Sequence, residues 1–217
     1  QIRAYKPQSS SLGCGQVLPC PYTADKARIV VQEMIDGISL ELVEKRLVTD
    51  QLVLTVGYDI ENLTRPEIRK VYKGPMTTDR YGRRVPKHAH GTWNLPRATS
   101  SSSELLEAMA ALYDKIVNPA LLIRRMSLSA CHVVNEKMAK EREQKETFEQ
   151  LDLFTDYAKK EAKEKEEQKK RERERRMQEA LLTIKKKYGK NAVLRGMNFE
   201  EGATAKERNG QIGGHQA

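Results

Sequence analysis

Gln150, Leu151, Leu153 and Phe154 stand together in the pentad QLDLF, inside a tract whose other residues are nearly all charged or polar. A glutamine amide both donates and accepts hydrogen bonds. A Leu-Phe pair can fill an apolar groove, at about 1.5–3 kcal/mol for each side chain buried. Upstream the chain reads NEKMAKEREQKE and downstream YAKKEAKEKEEQKKRERERR, so nothing local offers these side chains a core. An apolar cluster left exposed in polar surroundings marks a binding site. The alternative is that Phe148, Leu151 and Leu153 fold back onto the preceding residues.

A second group of residues suits phosphate. In ALLIRRMSLSACHVV, residues 120–134, Leu122, Met126, Leu128 and Ala130 alternate with Ile123, Arg125, Ser127 and Ser129. In SSSLGCGQVL, Leu12, Cys14 and Leu18 alternate with Ser9, Ser11, Gly13 and Gly15. Two such strands side by side would turn glycine, hydroxyl and arginine to one face, where a phosphate backbone can approach closely. Arg124 joins that face if the strand carries a bulge, and is plain surface charge otherwise. A further basic cluster, Arg80, Arg83, Arg84 and Lys87, lies in a long connection and serves either DNA contact or solubility.

Residues for catalysis are missing. No triad, nucleotide-binding motif or acidic cluster appears, and Glu107 and Asp114 sit on a helix with no chemistry assigned to them. His88-Ala-His90 is half a metal site that no Cys or second His pair completes. The three cysteines, Cys14, Cys20 and Cys131, are odd in number without a CxxC, which points to a reducing, cytoplasmic home. Cys131 reads as a packing residue, and Trp93 as partly buried packing rather than a base stacker.

The chain has 217 residues and a formal charge of +9, so polyanions, nucleic acid first, are the expected partners. A mean hydropathy of −0.70 is low for a chain that is globular throughout and suits one packed domain with a solvated second half. No apolar run is long enough for a membrane span, so no membrane partner is expected. The start, QIRAYKP, lacks a methionine and suggests a fragment.

The elements that must position these residues follow from periodicity. Residues 24–47 form a helix, with Ala27, Val30, Val31, Met34, Ile35, Ile38 and Leu42 on one face and Thr23 as N-cap. QLVLTVGYDI, 51–60, is a strand with Thr55, Gly57 and Asp59 on its polar side. Residues 61–90 connect, and GTWNLPRAT, 91–99, is a strand that Pro96 places at an edge or bulge. A second helix follows, with a capping box at Ser101–Glu104. The order β-α-β-β-α-β makes an α+β domain: a four-stranded sheet with two helices on one face and the other face wet. The expected divisions are this domain at 1–135, a linker with the pentad at 136–155, a charged helix at 156–188 and a Gly-rich, flexible tail at 189–217. Residues 140–187 hold 16 basic and 13 acidic side chains, which reads as a solvated single helix held by i,i+4 ion pairs.

QLDLF resembles the bacterial sliding-clamp-binding pentapeptide, a Gln-Leu-(Ser/Asp)-Leu-Phe pattern. The domain before it resembles the little-finger domain of Y-family translesion DNA polymerases, the DinB/UmuC group. The Lys-Ser-Ile-Gly-like strand of that family is matched by Ser10-Ser11-Leu12-Gly13, without the lysine. Its Ile-Arg-Arg-Ile-Gly-Val strand is matched by Ile123-Arg124-Arg125-Met126-Ser127-Leu128, with Ser127 for the common glycine. The tail KYGKNAVLRGMNFEEGATAKERNGQIGGHQA resembles the C-termini of UmuC-like (UvrX-type) polymerases of Gram-positive bacteria.

The resemblance implies a little-finger fold that grips primer-template DNA mainly through phosphates. It implies DNA contacts at Ser11, Gly13, Arg124, Arg125 and Ser127, with Arg83 and Arg84 added by the basic cluster. The clamp would be held by Gln150, Leu151, Leu153 and Phe154. Nucleotidyl transfer would belong to a Mg²⁺-binding palm of the parent polymerase, so no cofactor is expected in this chain. A recombinase or another repair protein is a further partner in view for the tail. The competing reading is a basic scaffold or RNA-associated protein with a charged helical arm.

Overall fold

The computed structural model describes residues 10–79, 81–146, 157–212 and 215–216. Its centre is an antiparallel sheet of β1 (Leu12–Tyr22), β2 (Leu47–Tyr58), β5 (Ala89–Thr99) and β6 (Ile123–Cys131), in the order β1-β6-β2-β5. Helices α1 (Ala24–Lys45) and α4 (Ser102–Ile116) lie on one face. The α+β arrangement expected from the sequence is therefore present, with an insertion between β2 and β5. The insertion holds α2 (Glu61–Thr64), α3 (Pro66–Val71) and a hairpin of β3 (Met76–Thr78) and β4 (Arg84–Pro86).

Burial follows the two periods. On α1, Ala27, Val30, Val31, Met34, Ile35, Ile38 and Leu42 are all buried. On the strands, Leu52, Leu54 and Val56 face Met126, Leu128 and Ala130 in a core closed by Leu105, Met109 and Leu112 of α4. Pro96 sits on the edge strand, where the β2–β5 ladder is interrupted between Asn94 and Thr99. Trp93 packs partly buried against the core, as its sequence context suggested.

Several boundaries differ from expectation. Arg46 turns left-handed at φ 54° and ends α1 at Lys45, and β2 begins at Leu47 rather than Gln51. The early start is held by β7 (Val134–Asn135), which pairs with Leu47 and Val48. Thr23 occupies the N-cap position without a side-chain hydrogen bond. Only half of the α4 capping box forms: Ser101 Oγ accepts from Glu104 N at 3.2 Å, while the Glu104 carboxylate pairs with Arg97. Ile123, expected on the wet side, is in the core. The register against β2 slips between Arg125 and Ile123, and the extra residue, Arg124, reverses the alternation.

The charged half is not a free arm. Residues 136–146, expected as linker, form α5 (Glu136–Glu146), and α6 runs from Tyr157 to Tyr188. Glu174 of α6 accepts from Ser101 Oγ at 2.6 Å and Ser103 N at 2.8 Å. Gln178, 1% exposed, donates to Ser100 O at 3.0 Å and Ser102 Oγ at 2.8 Å. Arg175 bridges Ser100 Oγ and Glu136. The contact is polar, at positions i, i+1 and i+4, so hydrophobic periodicity gives no sign of it.

The tail expected to be flexible is folded onto α1 between Arg195 and Ala205, and Arg208 reaches Gln16 of β1. Glu33, 3% exposed, accepts from Asn198 Nδ2 and Thr204 N at 2.8 Å, and from Ala205 N at 3.0 Å. Arg195 pairs with Asp36 at 2.8 Å and Lys26 with Glu201 at 2.5 Å. Glycine here makes turns: Gly189 (φ 94°) terminates α6 and Gly202 (φ 99°) turns the chain into α7 (Ala205–Arg208). Glu33→Ala leaves these donors buried without an acceptor and is expected to cost about 2–4 kcal/mol in urea denaturation. Hydrogen exchange of residues 198–205 should rise more than that of the sheet. Unchanged protection there would contradict the anchoring role.

Arg28 of α1 and Asp114 of α4 form a two-armed pair, 2.9 Å on each arm. The hydrogen bond from Arg28 holds the Asp114 carboxyl below its ordinary range. The folded-state value lies below the unfolded one, so the contribution is present above about pH 4 and is lost as pH falls through the folded value. The side chains are 35% and 57% exposed, so Asp114→Asn is expected to cost less than about 1 kcal/mol at pH 7. In denaturation curves run against pH, that difference should close on the acid side.

Candidate nucleic-acid interface

The uncovered face of the sheet is organised in rows that the register fixes. Gly13 lies beside Ser129, Ser129 beside Val53, and Val53 beside Thr92. One step along, Gly15, Ser127, Thr55 and His90 stand in line. The third row is Val17, Arg125 and Gly57. No carboxylate and no Phe, Tyr or Trp side chain stands in these rows. Ser11, exposed just before β1, continues the outward set by alternation.

Each row is shaped for close approach. A Cβ at Gly13 would meet Ser129 Oγ at 2.9 Å, so the glycine leaves this hydroxyl room. A Cβ at Gly57 would meet Arg125 Cγ at 2.6 Å, so the Arg125 stem lies across bare backbone. Among the described residues no carboxylate pairs with the Arg125 guanidinium, and the side chain is exposed. Thr55 Oγ1 and His90 Nδ1 are 2.9 Å apart, which fixes the imidazole on the face. Gln51 Nε2 donates to Asn94 Oδ1 at 2.9 Å beyond it. Hydroxyl side chains and the Arg125 guanidinium over glycine backbone can take phosphate oxygens without a steric or electrostatic penalty.

The other candidates are placed less simply. Arg124 stands on the bulge that its exposure required, yet its Nε is 3.7 Å from the Asp59 carboxylate. Asp59, expected on the polar side of a strand, lies past the end of β2 and accepts from Glu61 N at 2.8 Å. Arg83 pairs with Asp79 at 2.7 Å, and the Asp79 hydrogen bond raises the guanidinium's already high value further. That pairing is within the hairpin turn, so Arg83 is a structural cation first. Arg84, on β4, is exposed and has no carboxylate partner among the described residues. Arg80, Gln150, Leu151, Leu153 and Phe154 lie outside the described residues.

Sequence reasoning puts Gly15 on the phosphate-facing side of β1 but leaves Thr92 and His90 unassigned as DNA-contacting residues. Period-two counting from Arg125 and Thr55 reaches both once the strand order is known. Asn62 gives no sign in the sequence either: its amide donates to Asp59 O and Leu122 O at 2.8 Å and accepts from Leu122 N at 2.7 Å. It ties the insertion to the start of β6 and so holds the arginines at that end of the sheet.

Among the described residues no helix is long and apolar enough to cross a membrane. No protein-family model matches the chain, and none of the curated proteins compared with it does. Among solved structures it is similar to the complex of beta-clamp processivity factor and little finger domain of PolIV. The sequence identity is 9% and the TM-score 0.36, over 67% of this chain and 100% of that one.

Proposed function

We propose that this chain is the non-catalytic, DNA-binding and clamp-docking part of a Y-family DNA polymerase that acts in translesion synthesis and DNA repair. The observation that carries the DNA half is the open sheet face, with Arg125 lying over Gly57 and serine, threonine and glycine in register around it. Such a face reads backbone rather than sequence. Single-stranded RNA is usually held on sheets by several stacked aromatics, and these rows hold only the His90 imidazole, engaged by Thr55. The docking of Glu174 and Gln178 of α6 on Ser100–Ser103 supports this reading over a scaffold with a charged arm free along its length.

The clamp half rests on the pentad QLDLF, which matches the clamp-binding pattern at all five positions. Docking on a clamp already loaded on DNA raises the effective concentration of the attached sheet face at the duplex. The two halves thus act together, the peptide recruiting the chain to the clamp and the sheet gripping the duplex.

Fluorescence anisotropy with a labelled primer-template duplex and an RNA duplex, from low to high salt, tests the reading. DNA affinity is expected to fall with a log–log slope of about −0.9 for each phosphate neutralised. A flat salt response, or tighter binding to RNA, would contradict it.

A further inference from the structure

The β3–β4 hairpin carries an aromatic side chain that the fold does not use. Tyr81 is 77% exposed at the tip. Hydrogen bonds tie Tyr81, Gly82 and Arg83 back to Asp79. The Asp79 carboxylate accepts from Tyr81 N and Arg83 N at 2.9 Å and from Arg83 Nε at 2.8 Å. Gly82 supplies the left-handed residue of the turn at φ 76°, and its N–H reaches Asp79 O at 3.1 Å. Lys87 N to Pro75 O, 2.9 Å, closes the base. The Arg83 guanidinium lies 5.1 Å from the centroid of the Tyr81 ring, which leaves a cation on an aromatic plate.

The position of this plate gives it a ligand. Strand β4 contacts α2, whose first residue, Glu61, donates its N–H to Asp59 at 2.8 Å. Asp59 also pairs with Arg124, beside Arg125. The hairpin therefore lies near the end of β2, the end of the sheet that carries Arg124 and Arg125, with Arg84 exposed on the same hairpin. A nucleic acid whose phosphates follow the rows from Gly13 towards Arg125 leaves the sheet at this end.

Resting on the DNA-binding reading above, we infer that Tyr81 stacks on an unpaired base of the strand that leaves the duplex here. Arg83 backs the ring, and Arg84 takes a neighbouring phosphate. Base–aromatic stacking is indifferent to base identity because every base has a π-face, and it needs a base that is out of its pair. The hairpin thus turns a backbone-reading domain into one that prefers duplex with a single-stranded extension.

The test is a two-by-two comparison by anisotropy. Unmutated chain and Tyr81→Ala are titrated with a duplex bearing a 5′ extension, intact or with an abasic residue at the first unpaired position. Plain blunt duplex is the third probe. On the intact extension Tyr81→Ala is expected to weaken binding about ten-fold, and Tyr81→Phe to retain it. On the abasic extension Tyr81→Ala should change little, because its stacking partner is gone. Equal loss on both extensions, or no loss on either, overturns the stacking role while blunt-duplex binding continues to support the sheet-face reading. A chain that binds none of the probes overturns that reading and the stacking with it. Tyr81 lies outside the hydrophobic core, so a folded variant is expected, and circular dichroism checks it.

Discussion

Replacing Leu153 and Phe154 together by alanine is expected to abolish binding of this chain to a bacterial sliding clamp. Burying the two side chains in an apolar groove is worth about 1.5–3 kcal/mol each, so the loss should be about a hundred-fold or more. Gln150→Ala should cost less, because an amide hydrogen bond made in competition with water is worth only about 1 kcal/mol. The partition matters as much as the size: DNA affinity of the double variant should be unchanged. Calorimetric titration of each variant into purified clamp reads the first effect, and anisotropy on duplex reads the second. A double variant that binds the clamp as well as the unmutated chain would reduce the QLDLF match to coincidence.

Arg125→Ala carries the second large effect. The guanidinium is exposed, has no carboxylate partner among the described residues, and lies over Gly57. Its charge-assisted contact with a phosphate should be worth about ten-fold in affinity. The salt slope should become shallower by about 0.9, the amount for one phosphate. Loss should be nearly the same for unrelated duplex sequences, since no base edge is read. Arg83→Ala should behave differently, because Arg83 already pairs with Asp79 and its removal loosens the hairpin turn. A sequence-dependent loss at Arg125 would place that side chain in a groove rather than on the backbone.

The main features of the sheet domain can be read from the residues because hydrophobic period reports burial directly. Met126, Leu128 and Ala130 point inward and Arg125, Ser127 and Ser129 outward, as alternation requires. The alternation fails at Ile123, where the Arg124 bulge inserts a residue, and a bulge leaves no compositional mark. The second half escapes for a related reason. Its contacts are hydrogen bonds from Ser103 to Glu174 and from Arg175 and Gln178 to serines, and from tail amides to Glu33. Polar docking has the composition of a solvated surface, so a count of apolar residues cannot detect it. Gly189 and Gly202 suggest flexibility, yet they provide left-handed turns that bring the tail back to α1. The hairpin lies within what reads as a basic connection, because strands of three residues are too short to show a period.

The central claim is that duplex DNA is held on the open sheet face rather than on the long charged helix. Backbone amide NMR shifts, followed as a short duplex is added, separate the two surfaces most directly. The expected result is movement of Gly13, Gly15, Ser127 and Ser129, with Arg125 and Arg84, while the exposed residues of α6 from Lys165 to Arg173 stay in place. Shifts confined to α6, with the sheet face unmoved, would contradict the account.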